Sequence, residues 1–196
     1  MKKIKLALEI NDLIEQCKNG NTAAERELFQ RYANKIFTIC RRYVRQKEEA
    51  YDLMQECFIK LFDVLEKHDA EKGSFDGWMH RICTNLILQK LRKNKRGVSL
   101  VFPDQLPEPD DFLILESFNE ISSESLLSSI QELPEGYREV LNLYIFEGLQ
   151  HAEIAIALGI TASTSRSQYS RAKNILKNKL QEKIANKNNS NERRLA

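Results

Sequence analysis

Glycine and proline are scarce in this chain of 196 residues, which contains seven Gly and four Pro. A loop-rich β protein needs both residue types at its many turns, so their scarcity argues against that class and favours a helical protein. Hydrophobic residues make up 42% of the sequence. That fraction is enough to build a core, and the length suits one domain or two small ones.

The sequence also lacks a long hydrophobic run. No segment approaches the roughly 20 apolar residues that a membrane-spanning helix needs. The N-terminal stretch "MKKIKLALEINDLIEQC" superficially resembles a signal peptide, but polar residues interrupt its apolar part and no small-residue cleavage site follows it. We therefore expect a cytoplasmic protein that is not itself embedded in a membrane.

Residue groups that perform catalysis or bind metals are missing as well. The histidines and cysteines of the chain are His68, His80, His151, Cys17, Cys40, Cys57 and Cys83. The histidines do not have metal-ligand spacing, no cysteines form a C-x-x-C pair, and no glycine-rich loop could hold a phosphate. No nucleophile and base stand at a recognisable spacing. The sequence thus predicts no catalytic residue, metal site or cofactor, and it favours buried, reduced thiols.

Charge is unevenly distributed, although the net charge is only +2. The segment 77–103 has no Asp or Glu, and the segment 97–137 has no Lys or Arg. From Ser163 onward, basic residues again predominate. The near-zero total therefore conceals a basic, an acidic and a second basic zone, each with its own local field.

Apolar residues at helical spacing predict a first helical domain over residues 8–96. The segment "TAAE" at 22–25 has the form of a capping box that would begin a helix reaching about Val44. Two further helices are predicted at 47–66 and 75–95, separated by the polar loop "HDAEKGS". The residues of these two helices that we expect to face the core are Ala50, Leu53, Met54, Cys57, Leu61, Leu65, Trp78, Ile82, Leu86 and Leu91.

The remainder of the chain predicts a linker, a second domain and a tail. Residues 97–122 contain three of the four prolines and no Lys or Arg, which favours an acidic, extended linker. Within a second domain at 123–184, a helix at His151–Leu158, a turn at Gly159 and a helix after Thr161 form a helix-turn-helix pattern. We expect residues 185–196 to be disordered. The expected fold is all-α, with two small helical domains.

Two basic segments are candidates for nucleic-acid binding. The second helix of the helix-turn-helix pattern offers hydroxyl, amide and basic donors that suit phosphates and base edges, although many helical hairpins and basic helices do not bind DNA. The run "KLRKNKR" at 90–96 has an ordinary explanation, because cations are favourable at a helix C-terminus. Its neighbours Trp78, His80, Asn85 and Gln89 would also suit unstacked bases, while a tryptophan such as Trp78, taken alone, is more often a core residue.

Three stretches together resemble the extracytoplasmic-function (ECF) class of bacterial RNA polymerase sigma factors, over about residues 10–183. "DLMQECFIKLFD" is similar to the helix with which that class binds the core enzyme. "SFDGWMHRICTNLILQKLRKNKR" is similar to the helix that melts and reads the minus-10 element. "LPEGYREVLNLYIFEGLQHAEIAIALGI", followed by "TASTSRSQYSRAKNIL", is similar to the domain that reads the minus-35 element.

The resemblance implies a factor without enzymatic activity that binds RNA polymerase core enzyme and directs promoter-specific initiation. Its implied partners are the core enzyme, double- and single-stranded promoter DNA and, as for many members of the class, an anti-sigma factor. The residues implied to bind the core enzyme are Asp52, Gln55, Glu56 and Ile59. Those implied to bind and melt minus-10 DNA are Trp78, Arg81, Asn85, Lys90, Arg92, Lys93, Lys95 and Arg96. Those implied to read minus-35 DNA are Thr164, Arg166, Ser167, Gln168, Ser170, Arg171 and Lys173.

Three positions depart from the family pattern. Gln89 stands where Asp is usual, and Ser163 stands where Gly is common. Ser165 replaces an apolar residue on the inner face of the recognition helix, which would loosen the packing of that helix or leave Tyr169 to set its position. Two other hypotheses stay open. A stand-alone helix-turn-helix regulator would not explain the acidic, amide-bearing face at Asp52, and a helical scaffold would show no salt-dependent DNA binding.

Overall fold

A computed structural model describes the backbone of residues 2–93 and 122–195 and the side chains of residues 9–90 and 122–185. The described residues form eight α-helices and one short 3-10 helix and contain no strand, which confirms the all-α prediction. The chain divides into two compact units, Met1–Gly97 and Val98–Ala196, and each is described by itself. The predicted linker, up to residue 121, lies outside the described residues.

The helices of the first unit are α1 (Lys2–Lys18), α2 (Thr22–Tyr43), α3 (Lys47–Asp63), a 3-10 helix (Leu65–Lys67) and α4 (Phe75–Lys93). The prediction of a capping box at 22–25 is wrong. Asn21 caps α2 instead, because its side-chain oxygen accepts hydrogen bonds from the Ala23 and Ala24 amides at 3.0 and 3.3 Å. Thr22 is therefore the first helical residue, and the cap lies one position earlier.

The core of the first unit lies where α2, α3 and α4 pack together. The face predicted for α3 is confirmed, since Ala50, Leu53, Met54, Cys57 and Leu61 are all buried. The face predicted for α4 is wrong, because Trp78, Ile82 and Leu86 are only half-buried. The residues of α4 that enter the core are Phe75, Met79, Cys83, Ile87 and Leu88, and Leu91 lies outside the described side chains. Two apolar stripes run along this helix, and packing against α2 and α3 selects one of them.

The cysteines behave as buried thiols. All four are free and buried, as the sequence predicts. Within the core, the Cys57 thiol lies 3.9 Å from the Cys83 carbonyl oxygen. A hydrogen bond with Cys57 and burial both raise the pKa of the Cys40 thiol. Because the thiolate is the reactive form, a thiol kept protonated in an apolar core is inert.

The helices of the second unit are α5 (Ser123–Gln131), α6 (Glu135–Ile145), α7 (His151–Leu158) and α8 (Ala162–Leu195). The helix-turn-helix prediction is confirmed for α7 and for the start of α8, and Gly159 between them has φ 65°. Only glycine adopts that conformation readily. The backbone of α8 is helical to Leu195, where a disordered tail was expected at 185–196. No Gly or Pro follows Gly159, so the sequence contains no strong helix breaker there.

The long helix α8 is fastened to α5 by a polar contact. The Lys183 amino group donates hydrogen bonds to the Ser128 and Ser129 hydroxyls at 2.6 and 2.8 Å. One turn earlier, Lys179 forms a 2.5 Å ion pair with Glu132. The hydrogen bonds to the Lys183 ammonium carry charge and are stronger than neutral ones. They hold α8 against α5 at the position of Lys183.

Candidate functional site

The four residues predicted to bind the core enzyme lie on one face of α3. Asp52, Gln55 and Ile59 are exposed, and Glu56 is half-buried between them. Their spacing of three and four residues places them on successive turns of the same side. Ile59 is 62% exposed, which is unusual for a large apolar side chain beside acids. Such a surface suits a protein partner that offers both cations and apolar contacts.

A groove between α3 and α4 continues this face. It has a volume of about 190 Å³ and is lined by Glu56, Ile59, Lys60, Asp63 and Leu86. The sequence pattern assigned Leu86 to the core, whereas the structure places it in this groove. Lys60, Asp63 and Leu86 were therefore missed as site residues. The acid-rich spacing of α3 could have suggested Asp63, but the position of Leu86 depends on how α4 packs.

Glu56, which lines the groove, forms an ion pair with Lys90 and so joins α3 to α4. The sequence assigned these residues to different partners, Glu56 to the core enzyme and Lys90 to DNA. Their side chains are 37% and 42% exposed, so both remain accessible from the surface. The structure thus brings the two predicted sites of the first unit into direct contact.

Trp78 belongs to an aromatic cluster at the start of α4. Its ring centre lies 5.2 Å from that of His68 and 5.9 Å from that of Phe75. His68 is 5% exposed, and its Nε2 has no hydrogen-bond partner among the described residues. Burial, followed by the nearby Lys18, lowers the pKa of His68. Trp78 is therefore neither a core residue nor a free surface ring, because it packs on this cluster and is half-buried.

The other predicted minus-10 residues follow Trp78 along α4. Arg81 and Asn85 are half-buried and lie on the same side of the helix as Trp78, and Lys90 is exposed near its end. The remaining residues assigned to this surface lie outside the described side chains; they are Arg92, Lys93, Lys95 and Arg96. The described part of the surface combines an aromatic ring, an amide and cations within four helical turns.

The predicted minus-35 residues divide into two groups on α8. Four are exposed at helical spacing and form one face: Arg166, Ser167, Ser170 and Arg171. Three are half-buried: Thr164, Gln168 and Lys173. The Thr164 hydroxyl is hydrogen-bonded to the Thr161 hydroxyl at 2.8 Å at the helix start, and the Lys173 amino group lies over the Tyr169 ring. The exposed face carries two cations and two hydroxyls, a set that suits DNA.

Ser165 lies behind this face and is completely buried. Its hydroxyl is hydrogen-bonded to His151 Nδ1 at 2.9 Å, which joins α8 to α7. The His151 ring in turn stacks on Tyr144, with ring centres 4.7 Å apart, and Tyr169 packs on the same rings. Burial, followed by Arg166, lowers the pKa of His151. The polar residue at position 165 is thus matched by a polar partner, and Tyr169 also sets the position of the helix.

Two family models match the chain. The description "Sigma-70 region 2" covers residues 28–97, and "Sigma-70, region 4" covers residues 123–176. The chain belongs to the sigma-70 family, as an ECF sigma factor. Members of this family are known as non-catalytic transcription initiation factors. The region 2 match includes the α3 and α4 surfaces of this sigma factor, and the region 4 match includes the exposed face of α8.

Relatives match most of this sigma factor. It is 28% identical over 193 residues to "ECF RNA polymerase sigma factor SigW" of Bacillus subtilis, covering 90% of this chain and 100% of the relative. It is 32% identical over 161 residues to "ECF RNA polymerase sigma factor SigE" of Mycolicibacterium smegmatis. That match covers 79% of this chain and 60% of the relative, which is less than two thirds of its length.

A solved structure of the sigma factor RpoE from Bartonella quintana, in complex with the anti-sigma factor NepR, matches with 18% identity and a TM-score of 0.46. The match covers 80% of this sigma factor and 96% of that chain. No helix within the described ranges of this sigma factor is long and apolar enough to cross a membrane. The side chains described also contain no group of three or more His, Cys, Asp or Glu residues that could hold a metal ion.

Proposed function

We propose that this ECF sigma factor binds RNA polymerase core enzyme through the exposed face of α3 and opens promoter DNA with the adjoining α4. The observation that carries the proposal is the contact between these two surfaces within one small unit. An acidic, apolar face suited to protein lies directly beside an aromatic and cationic face suited to DNA. As a sigma factor, the chain directs promoter recognition and transcription initiation with RNA polymerase.

The α3 face has the wrong charge for DNA and the right composition for a protein. Asp52 and Glu56 would meet cations of the core enzyme, and Gln55 would add hydrogen bonds. Ile59 and the groove beside it would receive an apolar side chain of the partner. Apolar anchors in desolvated pockets contribute most to binding, while charges at the rim mainly steer association. In the proposal, Ile59 therefore supplies affinity and the acids supply specificity.

The α4 surface would hold melted minus-10 DNA. Flipping a base out of a duplex costs a few kcal/mol, which stacking and hydrogen bonds in the protein must offset. Trp78 offers a ring held from behind by His68, and Asn85 offers an amide for a base edge. Arg81 and Lys90 would bind phosphates, together with Arg92, Lys93, Lys95 and Arg96. Stacking on an aromatic side chain contributes about 1–3 kcal/mol per base.

The exposed face of α8 would enter the major groove at the minus-35 element. Arg166 and Arg171 suit guanine edges or phosphates, and Ser167 and Ser170 can contact either. In the same proposal, Thr164 stabilises the helix start, while Gln168 and Lys173 contribute from the edges of the face. The domain limits remain as proposed from the sequence, namely 8–96, a linker at 97–122, and 123–184. We also propose a cytoplasmic location and an anti-sigma factor as a partner.

Run-off transcription with purified core enzyme tests the proposal. Templates come from a pool of duplexes with randomised promoter sequence, from which transcripts made only with this chain are selected. We expect the variant Asp52→Asn with Glu56→Gln to lower the yield about tenfold or more, because both surface acids lose their charge. The matched control is Glu27→Gln with Glu66→Gln, which removes the same charge from other exposed positions of the first unit.

The outcomes separate the hypotheses. Promoter-specific transcripts that require both core enzyme and this chain, and that the control pair preserves, support the proposal. DNA binding that is unaffected by core enzyme, without any initiation, would favour a stand-alone regulator. Absence of salt-dependent DNA binding would favour a helical scaffold, since phosphate contacts make affinity fall steeply with salt.

A further inference from the structure

The first turn of α6 lies against the recognition part of α8. The Tyr137 hydroxyl accepts a hydrogen bond from an Nη of Arg171 at 3.3 Å, although the two residues are 34 positions apart. One residue earlier, a Cβ on Gly136 would lie 3.5 Å from the side-chain amide of Gln168. Gln168 and Arg171 are three residues apart and therefore share a side of α8. Two of the residues assigned to minus-35 DNA thus contact α6 before any DNA is bound.

The start of α6 is itself firmly held. Arg138, next to Tyr137, is buried and donates a hydrogen bond to the Gln131 carbonyl oxygen at 3.0 Å. Pro134 stands immediately before the helix, and its ring restricts the backbone there. Tyr137 therefore presents its hydroxyl from a fixed backbone, whereas Arg171 is an exposed side chain with many rotamers of its own.

A tyrosine hydroxyl is well suited to orienting an arginine that must bind DNA. The guanidinium has five N–H donors, so one bond to Tyr137 leaves four for base edges or phosphates. A neutral phenol also leaves the positive charge of Arg171 intact, whereas a carboxylate in its place would form a competing ion pair. Ordering the side chain in advance reduces the entropy lost on binding.

We propose that Tyr137 is a positioning residue for promoter recognition, which holds Arg171 in the orientation that contacts minus-35 DNA. This inference rests on the proposed role of α8. In this proposal Tyr137 does not contact DNA and acts only through Arg171. The bond is exposed and contributes little to folding, so its effect is expected in DNA affinity.

The test is a double-mutant cycle with Tyr137→Phe and Arg171→Ala in the full chain. The probe is a duplex selected by the wild-type chain from a randomised pool, and affinity is measured by fluorescence anisotropy against a scrambled duplex. Removing the hydroxyl should weaken binding to the selected duplex about 3- to 10-fold, the range expected for ordering one long side chain. In the Arg171→Ala background, the same change should have no further effect. Tyr51→Phe, which removes an exposed hydroxyl from the first unit, is the matched control.

Each outcome supports or overturns the inference. If Tyr137→Phe weakens binding equally with and without Arg171, Tyr137 contacts DNA or supports the fold by itself, and the positioning role is wrong. Thermal unfolding of the variant distinguishes those two causes. If Tyr137→Phe binds like wild type while Arg171→Ala binds weakly, the inference fails and the proposed function of α8 stands. If the wild-type chain selects no duplex, or Arg171→Ala has no effect, the proposed function of α8 itself has failed.

Discussion

Ser165 illustrates how one polar residue can be accommodated inside a small helical core. Its side chain is fully buried between α7 and α8, where an apolar residue is usual in this family. The hydrogen bond to His151 satisfies the hydroxyl, and the histidine is held in turn by stacking on Tyr144. A buried polar group costs little when its partner is in place and considerably more when the partner is missing. Position 165 therefore depends on position 151.

Replacing Ser165 should destabilise the second unit. Ser165→Ala removes the hydroxyl and leaves His151 Nδ1 without its partner, so we expect a loss of about 1 kcal/mol in the free energy of unfolding. Hydrogen exchange of the α7 and α8 amides measures this loss within the second unit. Ser163→Ala is the control, since Ser163 is exposed on the first turn of the same helix. Equal exchange rates in the two variants would contradict a stabilising role for the bond between Ser165 and His151.

At the scale of the element, the start of α2 depends on a cap that the sequence pattern misplaced. Asn21→Ala removes the acceptor for two backbone amides and should destabilise the first unit by about 1 kcal/mol. Thr22→Ala is the matched control and should change stability by about 0.5 kcal/mol or less, because Thr22 is an exposed helical residue. Urea unfolding followed by the fluorescence of Trp78, the single tryptophan, reports on this unit. If Thr22→Ala lowered the free energy of unfolding more than Asn21→Ala, Thr22 would be the cap of α2, as the capping-box prediction states.

The sequence predicts an element well when the signal for that element lies within its own residues. Gly159 follows α7 and adopts a positive φ. A glycine at the end of a helical pattern predicts the end of the helix from the sequence alone. The face of α3 is likewise readable, because its polar and apolar residues separate at a period near 3.6. On α4 both stripes are apolar, so Leu86 was misassigned to the core. For a helix of this kind, the neighbouring helices decide which stripe is buried.

The sequence predicts which residues form the candidate site. It does not predict which of these residues contact one another. Asp52, Glu56 and Arg166 stand at exposed helical positions that a family pattern can locate. The bonds from Lys90 to Glu56 and from Arg171 to Tyr137 each join residues 34 positions apart. No periodicity connects residues at that separation, because it depends on which helices pack together. The interactions that link one functional surface to another thus emerge only in the folded chain.

At the scale of the whole molecule, each unit contains a buried or half-buried histidine whose pKa lies below its ordinary value. Burial lowers the pKa of His68 in the first unit, where Lys18 also opposes protonation and Asp69 and Glu15 favour it. Burial likewise lowers the pKa of His151 in the second unit, and Arg166 acts in the same direction. Each folded unit therefore protonates its histidine less readily than the unfolded chain does.

The sign of the resulting pH dependence follows from proton linkage. Near and below the ordinary histidine value of 6.5, the unfolded chain binds more protons than the folded one. The stability due to each neutral imidazole is thus fully present above pH 6.5 and is lost as the pH falls through the folded pKa. Urea unfolding at pH 7.5, 6.5 and 5.5 should show decreasing stability, in a range above that where most carboxylates titrate.

Two readouts assign this effect to the two units. Trp78 fluorescence follows the first unit, and amide exchange in α7 and α8 follows the second. NMR titration of the imidazole resonances should place the pKa of His68 and of His151 below 6.5. The variant His68→Asn should reduce the pH dependence of the unfolding free energy in the first unit alone. Ser165→Ala should expose His151 to solvent, so the pKa of His151 should rise toward the ordinary histidine value. Imidazoles that titrate above 6.5, or stability that rises on acidification, would show that neither ring is held neutral by the fold.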